Sequence, residues 1–158
     1  MEKENAIDQD HPHHPGNVIN DFCMTICTVN GSGSATANTT LLRALFHMGI
    51  PVSGKNIFPS NIKGLPTWFS IRVSEEGYLG RVAHDDIIVQ MNPTTFKEDL
   101  NYDVPGGVIF YADHIDIPIE REDVVVYPMP VKDLIKAADV SRDLRDYMEN
   151  MVYVGIVD

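Results

Sequence analysis

The sequence predicts a single α/β domain built in layers on a mixed, mostly parallel sheet. Three observations carry this. Strand patterns alternate with helical patterns along the chain, the arrangement that layers helices on a largely parallel sheet. Residues 86–91 read as one apolar strand around Ile87-Ile88-Val89, as in a strand covered on both faces. A turn signal at Glu75-Glu76-Gly77 between two strand patterns adds a hairpin, which makes the sheet mixed.

The elements follow in order. Residues 1–17 are polar and acidic with Pro12, Pro15 and Gly16, and are expected to be a disordered tail preceding a domain over 18–158. Residues 22–29 read as the first strand. From Thr36 the pattern turns helical, with Ala37, Leu41, Ala44, Leu45 and Met48 on one face. Gly49 suits the helix end and Pro51 blocks continuation. Residues 50–66 read as loop, 67–73 as a strand and 78–82 as its return. A short helix over 96–101 and strands over 107–112 and 123–127 come next. Val131, Leu134, Ile135 and Ala138 make a short amphipathic helix, and 142–150 a polar one. Residues 151–157 form an apolar element that stops at Asp158, which reads as a fragment of a longer polypeptide.

Composition narrows the function. Of the 158 residues 44% are apolar and 22% charged, as in ordinary globular proteins. No apolar run is long enough to span a bilayer, and no secretory leader pattern is visible, so no membrane association is expected. Cys23 and Cys27 fall on one face of a strand, too far apart for an easy disulfide. They read as buried thiols of a reduced, cytoplasmic protein. Two cysteines are too few to hold an iron–sulfur cluster. The net charge of −11 is uneven. Residues 1–21 carry five acids and one base, 22–97 four acids and six bases, and 98–158 fourteen acids and five bases. An acidic chain without a basic stripe is a poor nucleic-acid binder.

The most informative stretch is Asn30-Gly31-Ser32-Gly33-Ser34, between the first strand and the first helix. Glycines let the backbone come close to a ligand, and the first free N–H groups of a helix attract anions. The loop also lies in the part of the chain that is not acidic. The bland alternative is a simple tight turn. A dinucleotide fingerprint fails, because Thr36 stands where the third glycine belongs and no acid follows at the ribose distance. Residues 49–56 approach a phosphate loop, but Asn56 replaces the required Ser or Thr and Pro59 prevents the following helix. Lys55, Lys63 and Trp68 border a second loop. Lysines there are more often solvated, and Trp68 is more often core. Asp10, His11, His13 and His14 could bind a metal, but adventitious affinity of a tail explains them better. No Ser-His-Asp, HExxH or CxxC pattern is present.

At these residues the sequence resembles a known family. The segment 29–38, then Leu42-Arg43-Ala44, then the long run 48–68, with Ile71-Arg72-Val73, Met91-Asn92-Pro93 and Pro105-Gly106-Gly107, is similar to the gamma domain of 2-oxoacid:ferredoxin oxidoreductases. It is most similar to the form that opens the alpha subunit of 2-oxoglutarate:acceptor oxidoreductase, over about residues 18–158. The resemblance implies a three-layer α/β unit with a part in oxidative decarboxylation of a 2-oxoacid to an acyl-CoA and no catalytic residue of its own. It implies coenzyme A as co-substrate, met by Gly31, Ser32, Gly33, Ser34, Asn61, Lys63 and Gly64. Thiamine diphosphate and the iron–sulfur cluster would sit on partner domains, the partners being an alpha domain, a thiamine-binding beta subunit and, indirectly, ferredoxin. A homodimer stays open. The alternative from another class is a stand-alone assembly or ligand-binding module without turnover.

Overall fold

A computed structural model describes residues 20–157 except 60, 61 and 117. The acidic tail with its histidine cluster, and Asn61, lie outside the described residues.

Six strands form one sheet in the order β2-β3-β1-β4-β5-β6. They are β1 Asp21–Val29, β2 Val52–Ile57, β3 Pro66–Ser74, β4 Asp85–Gln90, β5 Asp103–Ala112 and β6 Val125–Met129. β1, β4, β5 and β6 run parallel, while β3 is antiparallel to both of its neighbours. The sheet is therefore mixed and mostly parallel. The central strand β1 is apolar on both faces, and Cys23 through Thr28 are all buried. The two cysteines are free thiols on one face of it.

The four helices are α1 Ser34–His47, α2 Phe96–Asp99, α3 Val131–Ala137 and α4 Arg145–Val157. One face of the sheet is packed by α1 and α4, with α3 against α4. On this face Met24, Ile26, Phe69, Ile71, Val73 and Val89 meet Ala37 and Leu41 of α1 and Tyr153 of α4 in one core. The fully buried Tyr153 hydroxyl donates to Asn38 Oδ1 at 2.6 Å, tying the two helices together. The other face is crossed by α2 and the 3₁₀ turn Leu100–Tyr102, with Phe96 buried against Tyr111. That gives the three layers expected.

Four local expectations need correction. Residues 52–57 are a strand, not a loop. Their polar sequence carries no strand pattern because β2 is an edge strand held by backbone pairing to β3. Gly54 leaves the space that Phe69 and Leu42 fill; a Cβ there would sit 2.7 Å from Phe69 Cζ. Residues 78–82 are not a return strand, and Tyr78 and Leu79 are exposed. The turn at Gly77 forms, but both sides of β3 are already taken by β1 and β2, so a hairpin partner has nowhere to pair. The polar helix and the apolar element after it are one helix, α4. Met48 is exposed, because α1 ends at His47 and Gly49 turns the chain away with φ 83°.

The start of β5 holds a strained group. Asp103 is only 5% exposed, and neither of its carboxylate oxygens has a hydrogen-bond partner. Burial pushes its carboxyl up to about 7, against the pull of Arg121, with Asp85 and Asp86 adding to the rise. The folded state therefore keeps a proton that the unfolded chain releases near pH 4. The contribution of Asp103 to stability falls as pH rises from about 4 to 7 and levels off above, at about 1.4 kcal/mol per pH unit while the difference lasts. Asp103→Asn is expected to match the wild type at pH 4 and exceed it by a few kcal/mol at pH 8. Urea denaturation at both pH values checks this; equal pH slopes in the two proteins would contradict it.

Candidate functional site at the end of the parallel strands

The chain leaves β1 toward the β2 edge and leaves β4 toward β5, so their carboxyl ends flank a topological switch point, where open α/β sheets bind ligands. The glycine turn sits there. Gly31 and Gly33 both have positive φ, 83° and 86°, a backbone that side chains with a Cβ rarely adopt. Ser32 N–H donates to Val29 O at 3.2 Å, closing the turn. α1 starts at Ser34, with Gly33 as N-cap, no side-chain cap and no acid in its first turn.

The second loop folds onto this turn. Asn30 N–H donates to Leu65 O at 2.8 Å and Gly64 N–H to Asn30 O at 2.9 Å, while Asn30 Nδ2 donates to Ile62 O. The Lys63 stem lies along Gly31 so closely that a Cβ on Gly31 would be 2.8 Å from Lys63 Cγ. From β4, Met91 N–H donates to Cys27 O, and the buried Asn92 holds the following loop through Thr28 O and the Thr94 N–H.

These segments enclose a cavity of about 370 Å³, at the lower end of small-molecule sites. Of the residues expected from sequence, Gly31, Ser32, Lys63 and Gly64 line it. Ser32 Oγ is buried there without a hydrogen-bond partner. Gly33 and Ser34 do not line it. Gly33 lies under the Tyr147 ring, and the buried Ser34 hydroxyl accepts from Thr28 Oγ1 at 3.0 Å. Asn61 is outside the described residues.

Sequence reasoning missed what α4 brings. Asn150 donates to Ser32 O at 2.8 Å, and Asp146 and Glu149 line the cavity together with His114. Positions 146, 149 and 150 share a helix face by their spacing, which is the signal available in sequence; nothing local says which loop that face meets. The loop's neighbours along the chain are not acidic, yet two carboxylates line the same cavity as Lys63. Lys55 is on the exposed edge strand β2, and Trp68 is half-buried on the other face of the sheet. Among the described residues no three His, Cys, Asp or Glu side chains are grouped to hold a metal, and no helix is long and apolar enough to cross a membrane.

Fold and turn together define an α/β domain with a small polar crevice at its switch point. The family model for pyruvate ferredoxin/flavodoxin oxidoreductase matches residues 23–157, and the chain belongs to that family. No curated protein matches it in sequence. Among solved structures, 2-oxoglutarate:ferredoxin oxidoreductase from Magnetococcus marinus, with 2-oxoglutarate, coenzyme A and succinyl-CoA bound, is similar at TM-score 0.71 and 21% identity, over 83% of this chain. The chain spans 23% of the length of that one. The gamma subunit of a keto/oxoacid ferredoxin oxidoreductase from Geobacter sulfurreducens is similar at TM-score 0.65 and 12% identity, over 86% of this chain and 75% of that one. A pyruvate oxidoreductase subunit from Thermotoga maritima is similar at TM-score 0.56 and 13% identity, over 89% and 97%. At these identities the likeness is one of fold, that of a gamma-type domain.

Proposed function

We propose that the chain is the gamma-domain component of a 2-oxoacid:ferredoxin oxidoreductase of the 2-oxoglutarate type, and that its switch-point cavity contributes to coenzyme A binding. One observation carries the reading. The Lys63 loop packs on the Gly31 turn at the cavity, next to the buried, unpartnered Ser32 hydroxyl. A phosphate or amide oxygen of the coenzyme would satisfy that hydroxyl, and Lys63 supplies the point charge an anion needs. Gly31, Ser32, Lys63 and Gly64 would touch the ligand, with Asn61 from the same loop, while Gly33 and Ser34 shape the turn. Asp146 and Glu149 oppose an anion at one wall, so affinity depends on Lys63 outweighing them. Coenzyme A supplies the thiol that carries off the acyl group; this chain's residues only bind and orient.

In this reading thiamine diphosphate and the iron–sulfur cluster are held by an alpha domain and a thiamine-binding beta subunit, ferredoxin is reached through them, and the complex is cytoplasmic. The chain's second role is to hold the assembly together. Lys63→Ala in the assembled complex is expected to raise the KM for coenzyme A about tenfold, near the 1.4 kcal/mol of one lost charge-assisted contact, with kcat little changed. An unchanged KM would count against the assignment.

A further inference from the structure

The sheet face opposite α1 and α4 carries a second cavity, of about 460 Å³, that shares no lining residue with the first. Trp68 and Tyr102 give it aromatic walls. Asp85, Glu98 and Asp99 line it against a single cation, Arg81. Asp85 and Asp99 are 2% and 5% exposed. Asp99 is satisfied by neutral donors alone: Trp68 Nε1 at 2.8 Å, Gln90 Nε2 at 2.6 Å and Thr95 Oγ1 at 2.7 Å. Asp85 accepts from Thr25 Oγ1 at 2.7 Å, and burial pushes its carboxyl up against the pull of Arg81 and His84. Arg81 attracts Asp85 without a direct contact pair, and the direct arginine ion pairs among the described residues lie elsewhere, Arg72 with Asp21 and Arg121 with Asp123. Buried carboxylates are costly unless a cation pairs with them.

We propose that this cavity receives an arginine side chain from a partner subunit of the complex. The charge of the lining is complementary to a guanidinium, and Trp68, its N–H held by Asp99, adds an aromatic surface on which that planar cation stacks. The proposal rests on the reading that the chain assembles with other subunits. It is independent of the coenzyme cavity.

The test uses the full chain and two defined probes, acetyl-Ala-Ala-Arg-Ala-Ala-amide and the same peptide with glutamine for arginine. Trp68, the only tryptophan, reports binding by fluorescence. The arginine peptide is expected to give a saturable change that weakens with salt, with the glutamine peptide at least tenfold weaker. Glu98 and Arg81 are both exposed, so their variants keep the fold. Glu98→Gln should weaken binding several-fold, and Arg81→Gln should tighten it several-fold. No saturable response, equal responses to the two peptides, or indifference to both substitutions would overturn the proposal. None of these outcomes moves the coenzyme A KM measured with Lys63→Ala, so the two readings fail separately.

Discussion

Asp99→Ala is expected to destabilise the domain by about 3–5 kcal/mol, the range for removing one partner from a buried charged network. Three donors lose their acceptor at once: the indole N–H of Trp68, the Gln90 amide and the Thr95 hydroxyl. The loss spreads, because Gln90 Oε1 also accepts from the Asn92 N–H that shapes the loop after β4. Water entering from the adjoining cavity recovers part of the cost. Asp99→Asn keeps the volume but turns one acceptor oxygen into a donor, so it should fall between wild type and alanine. Urea denaturation followed by Trp68 fluorescence measures all three proteins. A loss under about 1 kcal/mol for alanine would mean that the network does not act as a unit.

Gly31→Val is expected to have the largest effect on the coenzyme site. The residue has φ 83°, where a β-branched side chain is a true outlier, costing about 1–2 kcal/mol. Its Cβ would also meet Lys63 Cγ at 2.8 Å and displace the lysine stem. Stability should fall modestly while the KM for coenzyme A in the complex rises more than it does for Lys63→Ala, since both the backbone approach and the cation are lost. Gly77→Val, at another positive-φ turn far along the chain, is the control for strain alone. Equal KM values for the two glycine variants would separate the turn from the ligand.

The parts of the fold that sequence made legible are those where the pattern is local. The apolar run of β1, the Ile87-Ile88-Val89 centre of β4 and the glycine stop after α1 each follow from side chains within one element. β2 was illegible because an edge strand is specified by its neighbour's backbone, and Ser53-Gly54-Lys55-Asn56 carries no apolar period of its own. The absent return strand after Gly77 is the converse. Its sequence suits a hairpin, but sheet order had already filled both sides of β3. In the site, the turn at Gly31 and the loop at Lys63 were legible one by one, and their packing is tertiary. Asp146, Glu149 and Asn150 arrive on α4 from more than a hundred residues away, which no local pattern encodes. The carboxylates of the second cavity were equally hidden. Asp85 and Asp99 look like surface acids in sequence and are buried in the folded chain.

Hydrogen exchange on the assembled complex, read by mass spectrometry with and without coenzyme A, tests the central claim most directly. Bound coenzyme is predicted to slow exchange in peptides covering residues 29–34 and 62–65, and to leave residues 78–85 unchanged. Protection confined to other parts of this chain or to the partner subunits, with both loops unaffected, would contradict it.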